Sequence, residues 1–519
     1  MRFVLSKSAV LIHLALLVLF LASGACRPSA LKSYLPLLWL ALSTLEMVLL
    51  FPPARKDETV ENSRKRAARR VFGDPVFHAG AAGIVFIICQ TLNGPRQLGY
   101  DGAAMAWRVG LPPLAALPSC FNRSEAFQAF FWWVPAWTAI LAIRHGLTRR
   151  GKLRLLNVLV AVSAFLALFS LVQYGRGQPY RLWGVATTAD HYGVFAYRGF
   201  AGTYFGMMFL VSVGLLVAGV AANAAPRTRR LLYGATFLNL VAAGFTLDYG
   251  ALLLLGGGGL ASLVYAYVFL RGGVAWSQRL RQAAVLLVTL SGLAFLHFIA
   301  YPENALHARI QALVSGQALQ SGWRGERQVL CGAAWRIFKA YPAYGTGTWG
   351  FRREAGRFLQ DADWDRIVSG TQSPITCHCD PLQFLCELGL VGTGLVLLVL
   401  ILLLVPVCRS LFRLLAATPA QSKTINESRI LRVSPVAVGC LAALSGAAAI
   451  SFFNMPFRDP LNLLVWCMLL AVVPGLLPLP RDLADHAVLS PAPARHREHV
   501  RRWRPFWRRH HHHSSDLES

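Results

Sequence analysis

The chain has 519 residues, of which 55% are hydrophobic and only 14% charged, with a mean hydropathy of +0.47. That balance excludes a soluble protein of this size and points to an all-α polytopic membrane protein. The formal charge of +27 would suggest nucleic acid in a soluble protein. Here it is first an orientation signal, so no nucleic acid is expected as a partner. Ten cysteines without a repeated C-x-x-C pattern decide neither compartment nor a zinc fold.

Apolar windows of bilayer-crossing length, about 17–25 residues, run in chain order over 9–25, 34–52, 72–92, 126–143, 155–173, 199–223, 231–247, 251–270, 283–300, 388–408, 433–453 and 460–478. Twelve spans are therefore expected. The first could be a signal peptide, since Arg2 and Lys7 precede it and small residues follow from Ala22; a retained helix is the favoured reading. With the N-terminus in the cytoplasm, 33 of the 51 Lys and Arg fall on inside segments and 18 outside. The short inside loops, with Arg64, Lys65 and Arg66, Arg149 and Arg150, Arg229 and Arg230, obey the positive-inside rule. The expected organisation is spans one to nine over 1–300, a large outside loop over 301–387, spans ten to twelve over 388–478, and a basic cytoplasmic tail over 479–519. Within the loop, Val329, Leu330, Ala333, Ala334, Ile337 and Phe338 have helical spacing, which predicts a helix over 326–341. No internal repeat or inverted pair of broken helices is evident.

Ionisable groups on the outer face are where chemistry is expected. The best cluster runs from Thr376 to Gly389. Asp380 suits an N-cap and Pro381 the first helical position, so a helix should start there and enter the tenth span. His378 would then precede a helix N-terminus, which keeps its ring neutral and proton-accepting. The bland alternative is a loop histidine bonded to backbone. Glu387 either orients an arginine or is a solvated helix-end carboxylate.

His378, Gly389 and Gly392 have the spacing of the H-[NSQ]-x9-G-x2-[GTY] pattern that O-antigen ligases carry, and Arg336 with Gly347 resembles their R-x10-G pattern. Phe195 to Ala201, which includes Arg198, is similar to a family segment that opens a span. Phe453 to Arg458 resembles the short loop before its last helix. The resemblance covers about residues 155–475 and the O-antigen ligase and polymerase superfamily as a whole. Two positions depart from it: Cys379 follows the histidine, and Asp248-Tyr249-Gly250 stands where many members have Ser-Arg-Gly, so that Arg324 or Arg327 would take over that arginine's phosphate contact.

The resemblance implies transfer of a glycan from undecaprenyl diphosphate to a hydroxyl acceptor, lipid A-core or another, at the periplasmic side of the bacterial inner membrane, without a cofactor. The residue chemistry agrees: a hydroxyl nucleophile needs a base, and a departing diphosphate needs arginine forks. His378 is assigned as general base, Arg336 as leading diphosphate ligand and Arg198 as a second. Arg324, Arg327, Glu387 and Arg458 complete the expected substrate-binding set. A polysaccharide polymerase or a protein O-oligosaccharyltransferase would use the same donor. A rival centre is the Asp361, Asp363, Asp365 run, which could hold a divalent cation but reads better as a solvated acidic turn beside Arg366. Cys377-His378-Cys379 is poor zinc geometry. A lipid or polysaccharide transporter, the alternative of another class, would place its charges at the bilayer midplane.

Overall fold

The computed structural model describes residues 2–23, 34–52, 58–95, 98–101, 106–109, 112–177, 191–222, 224–262, 315, 327–360, 376–416 and 433–477. The ninth expected span, the second half of the eighth, Arg324, the Asp361, Asp363, Asp365 run and the basic tail lie outside these residues.

The described chain is a helical bundle. Its helices are α1 (Arg2–Ala22), α2 (Leu35–Leu50), α3 (Val60–Phe72), α4 (Pro75–Leu92), α5 (Arg123–Gly146), α6 (Arg149–Gly175), α7 (Arg198–Ala221), α8 (Pro226–Phe245), α9 (Tyr249–Leu253), α10 (Gln328–Ala340), α11 (Phe351–Glu354), α12 (Asp380–Ala416), α13 (Pro435–Ile450) and α14 (Pro460–Val472). A short antiparallel hairpin, β1 (Leu98–Asp101) and β2 (Ala106–Val109), sits in the α4 to α5 connection, where the sequence reading had no strand. Five helical stretches are long and apolar enough to cross a bilayer: Pro75–Leu92, Arg123–Gly146, Arg149–Gly175, Arg198–Ala221 and Asp380–Phe412, with shorter apolar helices at Ala9–Ala22, Leu35–Leu50, Tyr249–Ser262, Pro435–Ile450 and Pro460–Gly475.

Local chemistry places the helix starts. Asp74 caps α4 by accepting from Val76 N, with Pro75 in the first turn; Asn122 caps α5, Thr148 caps α6 and Asp459 caps α14 in the same way. The first helix is part of the bundle: Val10, Leu14, Leu17 and Val18 are buried against a core shared with α2, α5, α6 and α14. At the centre lies α7, buried on nearly every face between α6, α8, α9 and α13. α12 is the opposite case: Leu397, Leu398, Ile401 and Leu404 are exposed although the helix is the most apolar of the long ones, the pattern of a helix that faces lipid.

The helix predicted over 326–341 is α10. Val329, Leu330, Ala333, Ala334 and Ile337 form its buried face, and they pack on Phe351, Ala355, Cys377 and Cys386 in a small core separate from the bundle's. This second core seats the loop helix on the start of α12.

Candidate active site

The site is organised by the short loop 451–458 between α13 and α14, on which four other segments converge. Asp380 N donates to Ser451 O (2.9 Å) and Phe457 N to Asp380 Oδ2 (3.0 Å). Arg327, at the start of α10, donates through Nη1 to Phe453 O (2.8 Å). Asn454 Nδ2 donates to Asp248 Oδ1 (3.4 Å), and a Cβ built on Gly199 would lie 2.6 Å from the same nitrogen. The start of α7 with Arg198, the cap of α9, the start of α10 and the turn before α12 thus meet on one loop.

His378 occupies that turn in the left-handed region, at φ +55°. Its Nδ1 is buried without a hydrogen-bond partner among the described residues. Burial first, and the Arg327 charge second, lower its pKa to about 4. A neutral ring was the sequence expectation, argued from a helix terminus; in the structure desolvation and a neighbouring cation favour it. The sequence predicts that the Asp380 carboxylate caps its own helix, and it does not. The helix begins at Asp380 itself, and the carboxylate is turned onto Phe457 and Arg458.

The His378 turn is held by a chain of polar contacts. Cys377 N donates to Gln383 Oε1 (3.2 Å), Gln383 Nε2 to Glu387 Oε1 (3.0 Å), and Arg458 Nη2 to Glu387 Oε2 (2.8 Å). Arg458 Nε lies 3.9 Å from Asp380 Oδ1, and the guanidinium stacks over Trp349 (5.0 Å) and Phe384 (5.2 Å). Glu387 does orient an arginine, and its exposure of 1% excludes the solvated carboxylate; Arg458 is exposed by only 6%. Both were expected to bind substrate. Their burial in each other's company ties them to the His378 turn through Gln383. Buried Arg458 keeps its proton, because its two carboxylate partners outweigh the desolvation that opposes the charge.

Two of the three motif glycines, Gly347 and Gly389, dock the 342–348 stretch on the start of α12. The stretch 342–348 pairs with the kink in α12: Leu390 N donates to Pro342 O (2.9 Å), Val391 N to Ala343 O (3.1 Å), Thr346 N to Cys386 O (3.0 Å) and Gly347 N to Glu387 O (2.9 Å). Gly389 makes the kink at φ 64°, ψ −168°, and a Cβ there would stand 2.4 Å from Ala343 O. That combination of angles is open essentially only to glycine. Gly347, at φ +92°, brings its Cα so near Cys120 that a Cβ would fall 2.6 Å from the Cys120 Cα.

The arginines divide into two groups. Arg327 faces His378 electrostatically, and Arg198 is half-buried with an Nε that has no partner. Arg336 lies toward the other end of α10, where its Nε donates to Phe358 O (2.7 Å). Nine residues of helix separate it from Arg327, roughly 13 Å along the axis. Of the arginines expected to bind diphosphate, the structure therefore brings Arg198 and Arg327 to the loop shared with His378 and sets Arg336 apart. Gln90, Gln383 and Trp349 were not picked out from sequence. Gln90 is fully buried at the end of α4 and donates to Glu387 O (3.3 Å) and Tyr344 O (3.4 Å) while accepting from Thr348 N (3.2 Å). A polar amide alone in an apolar window is the signal that could have found it. Among the described residues, no group of three His, Cys, Asp or Glu is arranged to hold a metal ion.

Neither the models of known protein families nor the curated proteins contain a match to this chain.

Proposed function

We propose that the protein is a membrane glycosyltransferase of O-antigen ligase type, transferring a glycan from undecaprenyl diphosphate to a hydroxyl acceptor on the outer face of a bacterial inner membrane. The observation that carries this reading is His378: a half-buried, neutral imidazole whose buried Nδ1 has no partner among the described residues, with Arg327 as a neighbouring cation and with the start of α7, where Arg198 has an unpartnered Nε, packed on the same 451–458 loop as the His378 turn. A nitrogen that is desolvated and unengaged is a proton acceptor waiting for a donor. Guanidinium groups beside it are the complement of a diphosphate.

In the proposed reaction the acceptor O–H gives its proton to His378 as the oxygen bonds to the anomeric carbon. The bond from that carbon to the diphosphate oxygen breaks, and its electron pair leaves with the diphosphate. Arg327 and Arg198 stabilise the negative charge that develops there. Arg336 contacts a more distant part of the donor. Glu387, Gln383 and Arg458 hold the base in position. A transporter without covalent chemistry would have no use for an unpartnered outer-face histidine, and its charges would sit within the spans. The reading is tested by reconstituting the protein in liposomes with a fluorescent undecaprenyl-diphosphate glycan and offering lipid A-core, a second lipid-linked glycan, or a serine-containing peptide. A glycosylated acceptor together with free undecaprenyl diphosphate is the expected product. Translocation of intact donor without bond cleavage would replace this reading with the transporter.

A further inference from the structure

Three cysteines surround His378, and the mechanism above uses none of them. Cys377 and Cys379 flank it in the chain, and Cys331 reaches it from α10, one turn after Arg327. Cys331 Sγ donates to Cys377 O (3.4 Å) and Cys377 Sγ to Cys379 O (3.3 Å); the Cys331 thiol is also in hydrogen-bond contact with the thiols of both others. All three are free thiols, Cys377 buried and Cys331 and Cys379 half-buried. A bond between Cys377 and Cys379 would have to close a strained ring across a single residue, so Cys331 is the partner that either would use. Exchange starts at a sulfur that the oxidant can reach; Cys331 and Cys379 are both half-buried, whereas Cys377 is buried with its thiol turned onto the Cys379 carbonyl, which favours Cys331 with Cys379.

We propose that Cys331 and Cys379 are a disulfide pair whose oxidation ties α10, with Arg327, to the turn that carries His378. Two thiols and one molecule of a disulfide oxidant give the Cys331–Cys379 bond and two oxidant thiols. The protein sulfurs lose two electrons, and their two protons end on the reduced oxidant. That such an oxidant meets this site in the cell rests on the outer-face reading of the proposed function; the pairing itself does not. The Cys377 thiol first and burial second push Cys331 up to about 11, against the Cys379 and Arg327 contacts, which lower it, so little thiolate is present at neutral pH and casual alkylation is slow. The pair therefore persists as thiols until an exchange partner reaches it, and once closed it removes the freedom of the His378 turn to leave α10.

The test uses the full-length protein, reduced, freed of reductant, and equilibrated with a glutathione redox buffer at mildly alkaline pH. Remaining thiols are blocked with N-ethylmaleimide and the digest is mapped by mass. The expected result is a Cys331 to Cys379 cross-linked peptide, two hydrogens lighter than the reduced pair and lost on treatment with dithiothreitol. In Cys331→Ser, Cys379 should instead carry maleimide or glutathione. Wild-type protein with both cysteines separately modified, or with Cys331 joined to Cys377, overturns the proposal whether or not the variant folds. A parallel sample alkylated in intact cells separates the two readings: a cross-link that forms in the purified protein but is absent from cells counts against the outer-face placement and not against the pairing.

Discussion

Replacing Arg458 by Met removes the one cation shared by two buried carboxylates. Arg458 lies 2.8 Å from Glu387 and 3.9 Å from Asp380, with side-chain exposures of 4% for the arginine and 1% for each acid. At an effective dielectric of about 20, these separations correspond to gross attractions of about 6 and 4 kcal/mol. Desolvation and the repulsion between the acids, which together push Asp380 up to about 7, cancel much of that gain, most of all for the Asp380 contact. What a single substitution reads is the penalty of leaving buried charge uncompensated, about 3–5 kcal/mol. Arg458→Met should therefore lower the thermal unfolding midpoint in detergent more than any surface substitution does. Arg458→Met combined with Glu387→Gln removes one of the stranded charges and should recover about 1–3 kcal/mol of that loss. The cycle of wild type, two single variants and the double variant is read by intrinsic fluorescence during heating. Additive effects of the two substitutions would refute the ion pair, and with it the account of how the His378 turn is held.

Further outcomes follow from the same structure. With a folded-state pKa of about 4 against an unperturbed 6.5, folded protein binds fewer protons at His378 than unfolded protein does. Its contribution to stability is thus full above about pH 6.5 and declines as the pH falls toward 4. For transfer, the acidic limb of kcat/KM should fall near pH 4, and that of kcat at higher pH, because a bound diphosphate raises the imidazole pKa; coincident limbs near 6.5 in a rate profile would mean an exposed histidine. Gly389→Ala forces a side chain into the Ala343 carbonyl and should abolish folded expression, whereas Gly394→Ala, which meets nothing within 4 Å, should leave stability unchanged or raise it by about 1 kcal/mol through helix propensity. Arg336→Lys keeps charge but loses the planar fork, so transfer should drop severely at normal expression if Arg336 grips the donor; near-normal turnover would make its bond to Phe358 purely structural.

Much of the bundle was legible because apolar windows are long and caps are local. Asp74 with Pro75, Thr148 and Asp459 start helices by local capping chemistry, whereas Asp380, the cap expected from sequence, turns its carboxylate onto Phe457. α10 was readable from the 3.6-residue spacing of Val329, Leu330, Ala333, Ala334 and Ile337. The β1–β2 hairpin was not, since four-residue strands beside a span leave no alternation to detect. For the site, the motif spacing singled out His378, Gly347 and Gly389, but not why the glycines are there. That reason is tertiary: backbone from 342–348 lies against a kink more than forty residues away in the chain. The same holds for Glu387 and Arg458, whose types suggested substrate contact. Their burial against each other depends on the loop between α13 and α14 packing on the start of α12, a long-range event with no local signature.

The central claim is that His378 is the base of a metal-independent glycosyl transfer. The most direct measurement is transfer by the reconstituted protein from undecaprenyl-diphosphate glycan, comparing wild type, wild type with EDTA, and His378→Ala, with donor binding followed in parallel. The account predicts full activity in EDTA and no transfer by His378→Ala, which should still bind donor. Loss of activity in EDTA that magnesium or manganese restores, with Asp361→Asn or Asp363→Asn inactive and His378→Ala active, would contradict it.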